Sequence, residues 1–193
     1  MTEYKILLGA LATVIALGSY VPYIRDIVRG RTKPHAFSWF VWALLTGIGF
    51  VAQVVEGGGA GAWVTGVSAV VDVVIVVLAL KKGQKNFHAF DWIALAGALL
   101  ALALWRATRD PTGSVILISI SDAVGFLPTF RTGYARPNEE TALLFVLSAV
   151  KYVIGIVALE HFSIATWFYP ASLVVMNGLF VSMLFARRRT RRG

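Results

Sequence analysis

Three ionisable side chains stand where an apolar chain tolerates them least. Asp72, Asp122 and Lys151 each fall near the middle of a long hydrophobic run, and so does the amide of Asn177. A charge at the centre of a membrane-spanning helix costs on the order of 2.5–3.5 kcal/mol on insertion scales, so a residue of this kind marks a binding site, a proton pathway or a compensating pair. Two carboxylates and one ammonium at one depth can relay a proton, neutralise one another or hold a polar solute. Lys151 with Asp122 is the expected pair, because their runs are consecutive and the two residues share a depth. That pair acts either in a charge relay with Asp72 or as a bridge that fixes helix register.

Helical spacing gives each of these residues a polar stripe. Thr65, Ser68 and Asp72 share one face; Ser119, Asp122 and Gly125 share another; Ser148, Lys151 and Gly155 share a third. The second run adds Trp39, Trp42, Thr46, Gly49 and Gln53 on one continuous face. Such faces line a cavity more readily than they meet lipid. The expected substrate contacts are therefore Asp72, Asn177, Ser68, Thr46, Trp42, Trp39 and Gln53. The two tryptophans either stack a flat or sugar-like solute or serve as belt residues at the membrane interface.

The elements that must position these residues are apolar runs. The chain has 193 residues, of which 58% are hydrophobic and 15% charged, and its mean hydropathy is +0.73. That composition predicts an all-α integral membrane protein. Seven runs approach the roughly 20 residues needed to cross a bilayer: 6–24, 37–55, 62–80, 90–105, 114–130, 141–159 and 164–186, the fourth being the shortest. The first continues into Pro22 without a cleavage site and reads as a retained span. Of the Lys and Arg residues, fourteen fall on one side of the spans and three on the other, with Lys151 inside a span. The positive-inside rule then places the amino terminus outside the cell membrane and the carboxyl terminus in the cytoplasm. The same distribution makes the formal charge of +8 a property of loops and not of a nucleic-acid site. There is no cysteine, and His35, His88 and His161 have no ligand spacing, so neither a metal nor another cofactor is expected. Gly57, Gly58 and Gly59 read as a flexible outer turn without the context of a phosphate loop.

A long-period repeat organises the spans. Pro22 is followed three residues later by Arg25, and Pro128 by Arg131; a basic connector with a second proline comes next in each copy, Pro34 and Pro137. Asp72 lies 50 residues after Pro22, and Asn177 lies 49 after Pro128. The expected organisation is three spans, one linker and three spans, in parallel repeat: residues 1–86, 87–112 and 113–186, with a basic tail at 187–193.

With Pro22 in Tyr20-VPYIRDI-Val28, Pro128 in Leu127-PTFRT-Gly133 and the paired positions Asp72 and Asn177, the chain resembles the SWEET and PQ-loop transporter superfamily. The PQ dipeptide itself reads Pro22-Tyr23 and Pro128-Thr129 here. The resemblance implies a seven-helix fold of two triple-helix bundles and a linker, with Pro22 and Pro128 as hinges. Asp72 and Asn177 would then occupy the positions where sugar-carrying members place substrate-facing asparagines. The predicted activity is a carrier for a small polar solute such as a sugar or amino acid, by alternating access, with proton linkage left open. The alternative is a seven-helix receptor or sensor, a retinal protein included, although its lysine would belong on the last span. No interfacial cluster of His, Cys or carboxylates predicts an enzyme. The partners are the solute and the bilayer, and two copies in one chain make a single protomer sufficient while leaving oligomers open.

Overall fold

In an apolar surround the backbone must satisfy its own polar groups, and each hydrophobic run accordingly folds as a helix. The computed structural model describes residues 3–31, 33–83, 89–138, 140 and 142–190. Seven α-helices follow in order: α1 Glu3–Val28, α2 Ala36–Val55, α3 Trp63–Lys82, α4 Ala89–Thr108, α5 Pro111–Ala135, α6 Ala142–Val157 and α7 Ile164–Thr190, with a short 3₁₀ turn at Gly59–Ala62. No strand occurs among the described residues. Lys85, His88 and Thr141 lie outside the described residues, as does the side chain of Pro128, a position within α5.

Six of these helices are long and apolar enough to cross a membrane. The shortest is α6, with 16 residues, whereas α4 has 20, which corrects the expectation that the fourth run is shortest. Leu159, counted in the sixth run, leaves the helix and packs, fully buried, beside the 3₁₀ turn. Around the bundle Leu7, Val14, Val21, Val70, Leu100 and Leu143 are exposed. An apolar surface of that extent requires lipid or protein to cover it.

Helix α3 packs between α1 and α2, and α7 packs between α5 and α6. Across the bundle α1 meets α6 and α2 meets α5, while α2 also touches α7 and α3 touches α6; α4 lies against α5 and α2. At one end, the basic end, long cations close helix termini whose last carbonyls have no intrahelical donor. Lys82 Nζ donates to the Val28 carbonyl of α1 at 2.8 Å. Arg187 Nε donates to the Tyr134 carbonyl of α5 at 3.4 Å, and its guanidinium lies 4.0 Å from the centre of the Tyr134 ring. Arg188 holds the Pro137 carbonyl at 2.8 Å and that of Glu140 at 2.7 Å. These arginines are the last turns of α7, which runs on to Thr190, so the basic run begins as helix and not as a separate tail at 187.

At the opposite end the α2–α3 and α6–α7 connectors meet. The Glu160 N–H donates to the Gly58 carbonyl at 3.1 Å, Lys5 Nζ donates to the Leu159 carbonyl at 2.6 Å, and His161 Nδ1 lies 3.0 Å from the Glu56 carbonyl. Gly57 and Gly59 adopt φ of 70° and 60°, a region that costs other residues strain. The flexible turn expected here is thus an ordered one, with Ala60, Gly61 and Ala62 buried. Gly61 has no room for a side chain, because a Cβ there would overlap the Gly155 carbonyl and the Leu159 backbone. Gly61→Ala is expected to cost about 1–3 kcal/mol as overpacking, read as a lowered melting temperature in detergent. An unchanged melting temperature would mean that the two connectors do not pack as described.

Candidate functional site

The polar stripe on α3 faces inward, with Thr65, Ser68 and Asp72 all buried. Tyr20 of α1 reaches across and donates its hydroxyl to Asp72 Oδ1 at 3.3 Å. Lys151 enters from α6, only 1% exposed, and its Nζ donates to Ser68 Oγ at 3.0 Å and to the Tyr20 hydroxyl oxygen at 3.4 Å. Ser68 can accept because its own proton goes to the Val64 carbonyl at 2.8 Å. A directed chain results, from the Lys151 ammonium through the Tyr20 hydroxyl to the Asp72 carboxylate. The ammonium also sits 4.5 Å from the ring centre of Tyr20 and 4.9 Å from that of Tyr152, a cation–π arrangement strengthened by exclusion of water.

The expected Lys151–Asp122 pair does not form. Helix α6 packs against α1, α3 and α7, whereas α5 packs against α2, α4 and α7, so neighbours in the chain are not neighbours in the bundle. Asp122 is 3% exposed and its Oδ2 has no hydrogen-bond partner. It stands within electrostatic reach of Asp72, Tyr152 and Tyr169. Ser119, one turn away, gives its proton to the Val115 carbonyl and so leaves Asp122 unserved. Asn177 donates to the Leu173 carbonyl of its own helix at 2.7 Å. It does not meet Asp72, its counterpart by position, because α3 and α7 are not close neighbours.

On α2, Thr46 Oγ1 lies 3.1 Å from the Tyr169 hydroxyl of α7, and Gly49 leaves space for the Tyr169 ring. Gln53 meets α7 for a different reason. Pro170 lies inside α7 and has no N–H for the carbonyl four residues earlier. That carbonyl belongs to Thr166, and Gln53 Nε2 donates to it at 2.8 Å. Gln53→Leu is expected to cost about 1–3 kcal/mol for the unsatisfied carbonyl. Pro170→Ala, which restores the missing N–H, should cancel much of that cost in the double variant. Additive losses in thermal denaturation would refute the repair.

Trp42 and Trp39 lie one and two turns from Thr46 toward the basic end, and Trp39 is buried. Trp39 Nε1 donates to the Tyr23 hydroxyl at 3.2 Å. From there a ladder of rings crosses the bundle: Tyr23–Trp39 and Trp39–Trp42 at 5.3 Å, Trp42–Phe126 at 6.1 Å, Phe126–Phe130 at 6.3 Å, Phe130–Phe180 at 5.3 Å and Phe180–Phe145 at 4.3 Å. The ladder lies between the polar centre and the basic end. The tryptophans are therefore packed inside and not spread along a lipid belt. Every polar side chain of the centre is buried, so the centre is occluded.

Sequence reasoning missed the tyrosines of the centre: Tyr20, which joins Lys151 to Asp72, Tyr152 beneath Lys151 and Tyr169 beside Thr46. It also missed a cluster at the start of α4. Asp91 is buried and accepts from Ser38 Oγ at 2.6 Å; His35 Nδ1 lies 2.8 Å from Ser38 Oγ and 3.8 Å from Asp91 Oδ2. His35 is the N-cap of α2 and takes the Ser38 N–H at 3.3 Å. A polar residue with Ser three positions on, just before an apolar run, was a legible start signal. Ser38 stands between His35 and Asp91, unlike a nucleophilic triad in which histidine is central; the cluster ties α4 to α2. Among the described residues no group of three His, Cys, Asp or Glu could hold a metal ion. No family model, curated protein or solved structure compared with this chain matches it.

Proposed function

We propose that this chain is a membrane carrier for a small polar solute, built as three helices, a linker helix and three helices, and working by alternating access. The observation that carries the reading is the occluded polar centre. Six helices, all but α4, contribute Tyr20, Thr46, Ser68, Asp72, Asp122, Lys151, Tyr169 and Asn177 to the buried interior. A bundle that only needed stability would fill that interior with apolar side chains, because ions buried for structure alone gain little over well-packed hydrophobes. Two closures flank it, the joined connectors at one end and the aromatic ladder at the other.

Two further observations support the repeat. Exchanging α1, α2, α3 with α5, α6, α7 leaves the neighbours among these six helices unchanged: α1·α6 becomes α2·α5, and α2·α7 becomes α3·α6. The terminal caps also repeat. The offset that relates Pro22 to Pro128 relates Val28 to Tyr134, and the offset that relates Asp72 to Asn177 relates Lys82 to Arg187. Equivalent cations thus close equivalent helix ends. In this reading, opening of the connectors alternates with opening of the ladder, the two halves rocking about the centre with Pro22 and Pro128 as hinges and the basic end in the cytoplasm.

Uptake into proteoliposomes of a panel of sugars, amino acids and nucleosides, with and without a pH gradient, tests the proposal. One class should accumulate, and Asp72→Asn should lower its uptake at least tenfold. No uptake of any class, with thermal stabilisation by one of them, would replace the carrier with a ligand-binding receptor of the same fold.

A further inference from the structure

We infer that the polar centre recognises a protonated amine, and that Asp122 is the acceptor this solute fills. The inference deepens the carrier reading and rests on it for transport, though not for binding. Several donors of the centre are directed away from Asp122. Lys151 gives N–H groups to Ser68 and Tyr20, Tyr20 gives its proton to Asp72, one of the Thr46 and Tyr169 hydroxyls donates to the other, and Ser119 and Asn177 turn back to their own helices. Asp122 Oδ2 is buried and receives none of them.

A buried carboxylate oxygen without a donor pays a desolvation penalty that a hydrogen-bonded cation removes. Charge points the same way, since two carboxylates share this centre with one ammonium, leaving room for one more positive charge. Lys151 shows how the centre receives an ammonium: N–H groups to hydroxyl oxygens and the charge over the faces of Tyr20 and Tyr152. Tyr152, already beneath Lys151, also lies within electrostatic reach of Asp122. Hydroxyls, ring faces and a free carboxylate oxygen suit an amine better than a divalent metal ion, which takes six or more oxygen ligands or keeps several waters. An acidic solute would meet both carboxylates.

The test is thermal denaturation of the purified full chain at neutral pH with propylamine, 1,4-diaminobutane, glucose or acetate at matched ionic strength, beside counterflow uptake of labelled 1,4-diaminobutane and glucose. Amines should raise the melting temperature of the wild type, and glucose and acetate should not. Asp122→Asn should weaken the amine effect at least tenfold in concentration, and without ligand should melt no lower than the wild type. Asp122→Glu should retain amine binding, which separates loss of the acceptor from loss of the fold. Equal stabilisation of wild type and Asp122→Asn by amines would overturn the inference, because Asp122 would then carry only a proton. Stabilisation by glucose or acetate alone would overturn it as well. Amine binding without uptake would leave the site standing and remove the carrier, whereas glucose uptake without amine binding would do the reverse.

Discussion

Lys151→Met should destabilise the protein by about 3–5 kcal/mol, the cost of removing one partner from a buried charge set and stranding the other. The stranded group is Asp72, reached through the Tyr20 hydroxyl. Adding Asp72→Asn should therefore recover most of the loss, and a double-mutant cycle of melting temperatures would measure the coupling. The same cycle with Asp122→Asn is the control. Asp122 has no bond to Lys151, so its rescue should be clearly smaller. A larger rescue by Asp122→Asn would reinstate the pairing expected from chain order and invalidate the packing of α6 against α1. In the carrier reading Lys151→Met also lowers uptake at least tenfold, because the ammonium sets the positions of Ser68 and Tyr20 together.

The second large effect is expected at Trp42, the rung that joins Trp39 of α2 to Phe126 of α5. Trp42→Ala should cost about 3–5 kcal/mol, the range for truncating a large aromatic in a packed core, and toward the lower figure because Trp42 is only partly buried. Its second consequence is access. The chain contains no cysteine, so Thr46→Cys supplies a unique thiol one turn beyond the ladder. Labelling of that thiol by a membrane-impermeant reagent applied to the basic end should rise at least tenfold when Trp42 is also alanine. Unchanged labelling would show that the rings do not cover the centre.

How far the chain could be read in advance follows from what each signal reports. Hydrophobic runs report burial of backbone, and they located all seven helices. Helical spacing reports faces, and the stripes Thr65, Ser68, Asp72 on α3 and Trp39, Thr46, Gly49, Gln53 on α2 are buried together. Neither signal reports which helices touch. Asp122 and Lys151 have matching depth and consecutive runs, yet α5 and α6 are parted by α7. Nor does spacing reveal what joins two charges when the bridge is a third residue: Tyr20 is one more aromatic in an apolar run until its hydroxyl is seen between Lys151 and Asp72. Gln53 read as a solute contact because its face was right, and its bond to the Thr166 carbonyl became intelligible only when Pro170 was seen opposite. The connectors misled because three glycines signal freedom of φ, whereas here that freedom serves a tight turn pressed against Leu159.

The repair of Pro170 by Gln53 also bears on how the protein is made. In the carrier reading the helices enter the bilayer roughly in chain order, and four helices separate α7 from α2. Until α7 docks, the Thr166 carbonyl lacks the Gln53 donor and the Gln53 Nε2 lacks its acceptor, and burying either group unpaired carries a penalty. One bond satisfies both when the two helices meet, while Gln53 Oε1 is buried without a partner. Docking of the last helix is thereby favoured at two groups at once, and a chain whose last helix has failed to dock leaves both of them unpaired.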